Sequence, residues 1–292
     1  MQVDILNQNE GISRAILKLY DVRFADQLRE DYGVLPWTQD HAASVFKLIQ
    51  SGEAARLLYH FDKDIRATEF VDNWTSEQKE VYLHHWCIEM CNQEKAVYDE
   101  LREYQGSRIP RLFDFVTLSI DPEEEPTALR KRESEGLADK SAENGEFLKV
   151  PGILVEYIPG FTLSQLADRG TALAPEGSFQ AIVDEAVENV RLFSDHNLVN
   201  EDTRLSNVIV SRDPALARGY RVASIDFAQC QFRRADESDM EWGRRKWNED
   251  EEGEIGMVMK HRLAELGYLI NYSPSNRYLT WAEAEDDEAN TT

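Results

Sequence analysis

His196-Asn-Leu-Val-Asn-Glu-Asp202-Thr-Arg204-Leu-Ser-Asn207-Val-Ile-Val210, then the spacer Ser211 to Tyr220, then Arg221-Val-Ala-Ser-Ile-Asp226-Phe-Ala-Gln229, is the stretch that decides the fold. An apolar helix end runs into a polar loop, and Val208-Ile-Val210 has the β-branched character of a strand. A turn rich in Pro, Arg and Gly follows, and a second β-run stops at an aspartate. Asp202 and Asn207 stand five apart on the loop, and Asp226 comes nineteen residues after Asn207. Two carboxylates and an amide at strand ends are hard oxygen donors suited to Mg²⁺ carrying a polyphosphate. The pattern predicts a phosphoryl-transfer site; a polar loop without chemistry between two strands is the bland alternative.

Composition narrows the choice. A chain of 292 residues can bury a full core and hold one large domain or two lobes. The net charge of −23, from 55 acidic against 32 basic residues, repels nucleic-acid phosphates and anionic membranes. It also repels ATP at long range, so any nucleotide site must draw on local lysine, arginine, backbone amides and metal. Three cysteines give no disulfide framework, Met1 to Leu17 lacks a signal pattern, and no apolar run approaches the ~20 residues of a membrane span. The expectation is a cytoplasmic protein, with the nucleus left open.

At its central stretch the chain resembles the protein kinase-like superfamily. That family pairs a catalytic loop D-x-x-x-x-N with a following D-F-G; here the first reads Asp202-Thr-Arg-Leu-Ser-Asn207 and the second Asp226-Phe-Ala228. Asn200-Glu201 replaces the usual His-Arg, and Ala228 replaces the glycine. The resemblance implies that Asp202 accepts or orients the proton of an attacking hydroxyl, while Asn207 and Asp226 hold Mg²⁺. Arg204 either reaches the transferred phosphate or stands as a solvated ion-pair partner. It further implies that Lys18, in Ala15-Ile-Leu-Lys18, is the strand lysine that holds the α- and β-phosphates; on its residues alone Lys18 reads as an edge-strand lysine that discourages aggregation. Its helix partner is Glu94, with Glu89 and Glu100 as alternatives. Val150 to Gly160 becomes the hinge: the Glu156 carbonyl and the Ile158 amide face adenine, and Val155 lines the pocket. No glycine-rich loop precedes Lys18, so either the sequence begins late or the protein works without that lid, and weakened nucleotide binding is expected. The phrase L-K-L-Y-D-x-R-F-A-x-Q-L-R, and L-x-x-Y-Q-G-x-x-I-P near Gly106, resemble a group of fungal protein kinase-like sequences of unassigned role.

In chain order, Val3 to Leu6 and Ser13 to Leu19 read as strands. A helical insertion follows from about 21 to 75, with Thr38 as an N-cap and Ala42, Val45, Phe46 and Ile49 at helical spacing. Ser76 to Tyr104 reads as one helix beginning at Ser76; its His84, His85, Cys87 and Cys91 read as a packed face rather than a zinc site, because no second ligand cluster exists. Phe115 to Ile120 reads as a strand, 121–145 as an acidic loop, Phe161 to Leu166 as the start of a short helix, and Ala174 to Asn197 as an amphipathic one. Gln231 to Arg234 is a short strand or loop. Ser238 opens a helix carrying Arg244, Arg245 and Lys246, Met257 to Leu266 forms another, and Trp281 to Thr292 is an acidic tail expected to be disordered. Asp250 and Glu251 are candidates for the acid that, in this family, anchors the catalytic loop.

The expected architecture is α+β and bilobal. Residues 1–151 make a kinase-like lobe, a small sheet with its helical insertion, and residues 152–292 make the hinge and a reduced, mainly helical lobe. The expected activity moves the ATP γ-phosphate to a hydroxyl of a protein or small molecule. A pseudokinase scaffold for protein partners, and an α+β binding domain outside the superfamily, are the other readings.

Overall fold

The computed structural model describes residues 1–7, 11–63, 73–119 and 149–281. The acidic loop, most of the insertion's end and all of the acidic tail beyond Trp281 lie outside the described residues.

The fold is α+β. Strands β1 (Gln2–Asn7) and β2 (Gly11–Leu19) open the chain. Helices α1 (Asp26–Asp31), α2 (Gln39–Gln50), α3 (Glu53–Lys63) and α4 (Ser76–Glu100) follow, then β3 (Leu112–Ser119) and β4 (Lys149–Glu156). These four strands form one sheet in the order β1-β2-β4-β3. After β5 (Phe161–Thr162) come α5 (Leu163–Arg169) and α6 (Phe179–Asp195), then β6 (Leu198–Asn200), β7 (Val208–Arg212), β8 (Tyr220–Ser224) and β9 (Cys230–Phe232). Helices α7 (Asp239–Glu249) and α8 (Glu251–Glu265) complete the set. β5, β7 and β8 make an antiparallel sheet, and β6 pairs antiparallel with β9.

The chain divides into two compact units, one of Met1, 16–92 and 113–154, the other of 2–15, 93–112 and 155–292. In the first, Thr38 caps α2 by accepting from the His41 amide, and Ala42, Val45, Phe46 and Ile49 turn into a small core with Ala54 and Val81. Among its described residues the insertion carries α1, α2 and α3, the last two separated at Ser51-Gly52, where Gly52 takes φ +78. Arg29 of α1 is buried against Glu80 of α4, with Nη1 to Oε2 at 3.0 Å, and His41 Nε2 meets Glu80 Oε1 at 3.0 Å. Gly152 lets β4 close on β2, because a Cβ there would stand 2.5 Å from the Lys18 carbonyl.

In the second unit the core is built from one stripe of α6 (Phe179, Ile182, Val183, Ala186, Val190) against Val208, Val210, Val222, Ile255, Met259 and Leu263. The apolar spacing of α6 gives this face and buries it on the sheet.

Several boundaries differ from expectation for local reasons. α4 starts at Ser76 as expected, with Thr75 as its cap: Thr75 N donates to Gln78 Oε1 and Gln78 N to Thr75 Oγ1, a reciprocal capping box. It ends at Glu100, and Arg102–Tyr104 is a separate 3-10 turn. The short helix begins at Leu163, since Thr162 and Gln165 form another capping box and Phe161–Thr162 pairs with β7. α6 covers less than Ala174 to Asn197, because a 3-10 turn at Glu176–Ser178 follows Pro175.

Candidate functional site

The central loop is a hydrogen-bonded unit. Asn207 sits at the end of a 3-10 turn, buried, and its Nδ2 donates to Asp202 Oδ2 at 2.9 Å and to the Asp202 carbonyl at 3.0 Å. That fixes the two predicted residues against each other and leaves the Asn207 side-chain oxygen as the atom able to meet a metal. Arg204 Nη2 lies 2.8 Å from Asp202 Oδ2 while its side chain is 59 % exposed, so of its two expected roles the structure displays the ion pair.

Asp226 reaches the same place through the backbone. Ile225 N donates to the Asn207 carbonyl at 2.9 Å, and Asp226 itself takes φ +65. A left-handed aspartate is uncommon and is held here by its neighbours. Phe227 is fully buried, edge-on to Tyr98 at 5.5 Å and to Phe193 at 5.6 Å. Its amide donates to Glu94 Oε1 at 3.3 Å.

That contact separates Glu94 from its alternatives. Glu94 is buried, whereas Glu89 is exposed beside Asn92 and Glu100 meets His196 Nδ1 at 2.8 Å. Lys18 belongs to the other unit, on the inner strand β2, where its Nζ lies 5.0 Å from the centroid of the Tyr20 ring.

The segment read as a hinge ends β4. Val155 and Ile158 are buried, and Glu156 N donates to the Arg111 carbonyl at 2.8 Å. The Glu156 carboxylate takes Arg221 Nη1 at 2.7 Å, Arg221 Nη2 at 3.1 Å and the Arg111 amide at 3.0 Å. Burial works to raise the Glu156 carboxyl, but these donors outweigh it and hold it below the usual 4.5. A depressed carboxyl adds stability above its unfolded value, and that stability is lost as pH falls through the folded one. Arg221→Ala is therefore expected to lower the melting temperature at pH 7 and to flatten its decline below pH ~4.5, read from melts across pH; parallel curves would disprove the linkage.

Two residues of the loop's support stand apart from the motif. Of Asp250 and Glu251, it is Glu251 that reaches the loop: Oε1 accepts the Asn200 amide at 2.9 Å. Asp250, at φ +38, instead caps α8 through the Gly253 amide. Lys246 is the other. Its place among Arg244 and Arg245 suggests a solvated basic run, yet it is buried and ion-paired with Glu251. Only the partner, brought by the fold, reveals it.

The donor set suits Mg²⁺ bound together with substrate phosphate, one carboxylate and one amide being the few protein ligands Mg²⁺ takes. Among the described residues, no cluster of three or more His, Cys, Asp or Glu is placed to hold a metal alone. Cys87 and Cys91 are buried in α4. The first unit also has an open cleft beside Tyr20, Trp37, Phe46 and Val81, and Lys18 stands next to its Tyr20 wall. Its acids Asp21 and Glu80 are tied to Arg23 and Arg29. No helix among the described residues is long and apolar enough to cross a membrane.

Comparison with known proteins adds no relative: no protein-family model matches the chain, and no curated protein sequence matches it.

Proposed function

We propose that this protein is a kinase-like phosphotransferase that moves the γ-phosphate of Mg-ATP to a hydroxyl of a protein or small molecule. The observation that carries the reading is the Asp202–Asn207 bond at 2.9 Å, with Ile225, the residue before Asp226, tied to the same loop through the Asn207 carbonyl. A proton acceptor and two metal-binding oxygens are thereby held on neighbouring backbone, and phosphoryl transfer depends on such positioning. In this reading Asp202 orients the hydroxyl, Asn207 and Asp226 hold Mg²⁺, and Lys18, oriented by Glu94, meets the α- and β-phosphates. Val155, Glu156 and Ile158 border adenine. Mg²⁺ supplies charge neutralisation between the phosphates. Overall the proposed architecture is the bilobal kinase-like one, with the cytoplasm as its place of action.

A second reading, a pseudokinase scaffold, is favoured by one contact: Arg204 ion-pairs with the Asp202 carboxylate that would receive the proton. Thermal melting with and without Mg-ATP separates the two. Ligand at a hundred times Kd adds about 2.7 kcal/mol of stability. The shift is expected to require Mg²⁺ and to vanish in Asp226→Ala; no shift at millimolar Mg-ATP would leave the scaffold.

A further inference from the structure

Lys246 is 4 % exposed, and the chemistry above makes no use of it. Lysine is almost never buried without a partner, and taking a charged pair out of water costs more than packing two apolar side chains in its place. Both facts ask what the pair does. The Nζ of Lys246 donates to the Leu198 carbonyl at 3.0 Å and ion-pairs with Glu251 Oε2. The other Glu251 oxygen accepts the Asn200 amide. Leu198 and Asn200 are the first and last residues of β6, so one ammonium grips the strand at its start and, through the carboxylate, at its end.

Asn200 then passes the restraint to the loop. Its Oδ1 accepts the Asp202 amide at 3.0 Å, and its carbonyl accepts from Thr203 Oγ1 at 3.0 Å. We propose that Lys246 is a positioning residue for Asp202: it fixes β6 directly at Leu198 and, by holding the Glu251 carboxylate in place, fixes Asn200 and the loop that Asn200 holds. The proposal rests on the reading of Asp202 as the residue that orients the acceptor hydroxyl. Burial is the largest influence on the Glu251 carboxyl and raises it above its usual value, while the Lys246 ammonium and the Asn200 amide work to lower it. A charged carboxylate is the stronger acceptor for the Asn200 amide, which is what a rigid loop needs.

The test combines steady-state kinetics with amide hydrogen exchange at Asn200. Lys246→Met is expected to lower kcat roughly 10- to 100-fold, the scale of a small misplacement of a reacting group, with KM for ATP within about twofold. Exchange at Asn200 is expected to speed up by about tenfold or more. Because Lys246→Met leaves Glu251 buried without its cation, a second variant, Lys246→Met with Glu251→Gln, is measured beside it. The double variant is neutral at both positions and is expected to melt near the parent, yet to keep the reduced kcat and the faster exchange, since the Leu198 carbonyl has still lost its donor. Parental kcat and parental Asn200 exchange in the double variant would overturn the proposal. If the parent transfers no phosphoryl group, the proposed function falls by itself. Asn200 exchange then still decides the positioning claim: acceleration in the double variant supports it, and parental exchange refutes it.

Discussion

Phe227→Ala is expected to destabilise the second unit by roughly 3–5 kcal/mol, the cost of removing a fully buried aromatic side chain from a packed core. The value belongs toward the upper end. Phe227 has no exposed surface, and it stands edge-on to both Tyr98 and Phe193, contacts worth about 0.5–1.5 kcal/mol each beyond buried area. Tyr98 lies on α4 and Phe193 on α6, so the ring joins two helices that no hydrogen bond could join as cheaply. Its amide is also held by Glu94, which leaves the left-handed φ of Asp226 dependent on what Phe227 does. The melting temperature is expected to fall by on the order of 10 °C, and any Mg-ATP stabilisation to shrink with it. Phe227→Leu keeps most of the apolar volume and is expected to cost about 1.5 kcal/mol or less. A urea midpoint for Phe227→Ala equivalent to less than ~1 kcal/mol would show that the ring is not the pin between these helices.

What the chain reveals before folding is what its neighbours along the sequence decide. Thr38 and Ser238 mark helix starts because a cap is a contact within one turn, and both cap as expected. The stripe Phe179, Ile182, Ala186, Val190 repeats at helical spacing and is buried. Asp202, Asn207 and Asp226 are legible because the loop and the strand after it have a fixed spacing. What stays hidden is set by partners far away in sequence. β6 has three residues, too few for an alternating pattern, and becomes a strand only by pairing with Cys230–Phe232 some thirty residues on. On α4 three glutamates compete, and their order of burial depends on which side of the helix the core lies. Glu94 faces Phe227, Glu89 faces solvent and Glu100 faces His196.

Lys246 and Glu251 sharpen the same point. Local composition places the first in a basic run and the second in the acidic run Glu249-Asp-Glu-Glu252, where Asp250 and Glu251 compete as the acid that holds the loop. Each charge is tolerable in the interior only because the other is there, so no property of either residue alone predicts burial. Asp250 begins the turn that separates α7 from α8 with a left-handed backbone, and that bend directs Glu251 inward to β6. The helix geometry, rather than the spacing from Asp226, selects which acid holds the loop.

Asp202→Asn isolates chemistry from structure at the site itself. Asparagine keeps the size of the side chain and one acceptor oxygen, so Asn207 Nδ2, now 2.9 Å from Oδ2, retains a partner, and its second bond to the backbone carbonyl is untouched. The ion pair with Arg204 is lost, but with the arginine 59 % exposed that pair is worth about 0–1 kcal/mol. The variant is therefore expected to melt close to the parent. Its amide cannot accept a proton, and loss of a general base lowers kcat by roughly 10²–10⁴-fold. KM for ATP is expected to stay near the parental value, because the proposed function assigns the nucleotide to other residues. Parent and variant are compared in a γ-phosphate transfer assay at saturating Mg-ATP, with melting curves alongside. An Asp202→Asn protein that melts normally and turns over within about threefold of the parent would remove Asp202 from the proton's path and leave only positioning by Lys18, Asn207 and Asp226. A fold intact with turnover lost places the decisive charge on the Asp202 carboxylate, whose Oδ2 Arg204 and Asn207 share.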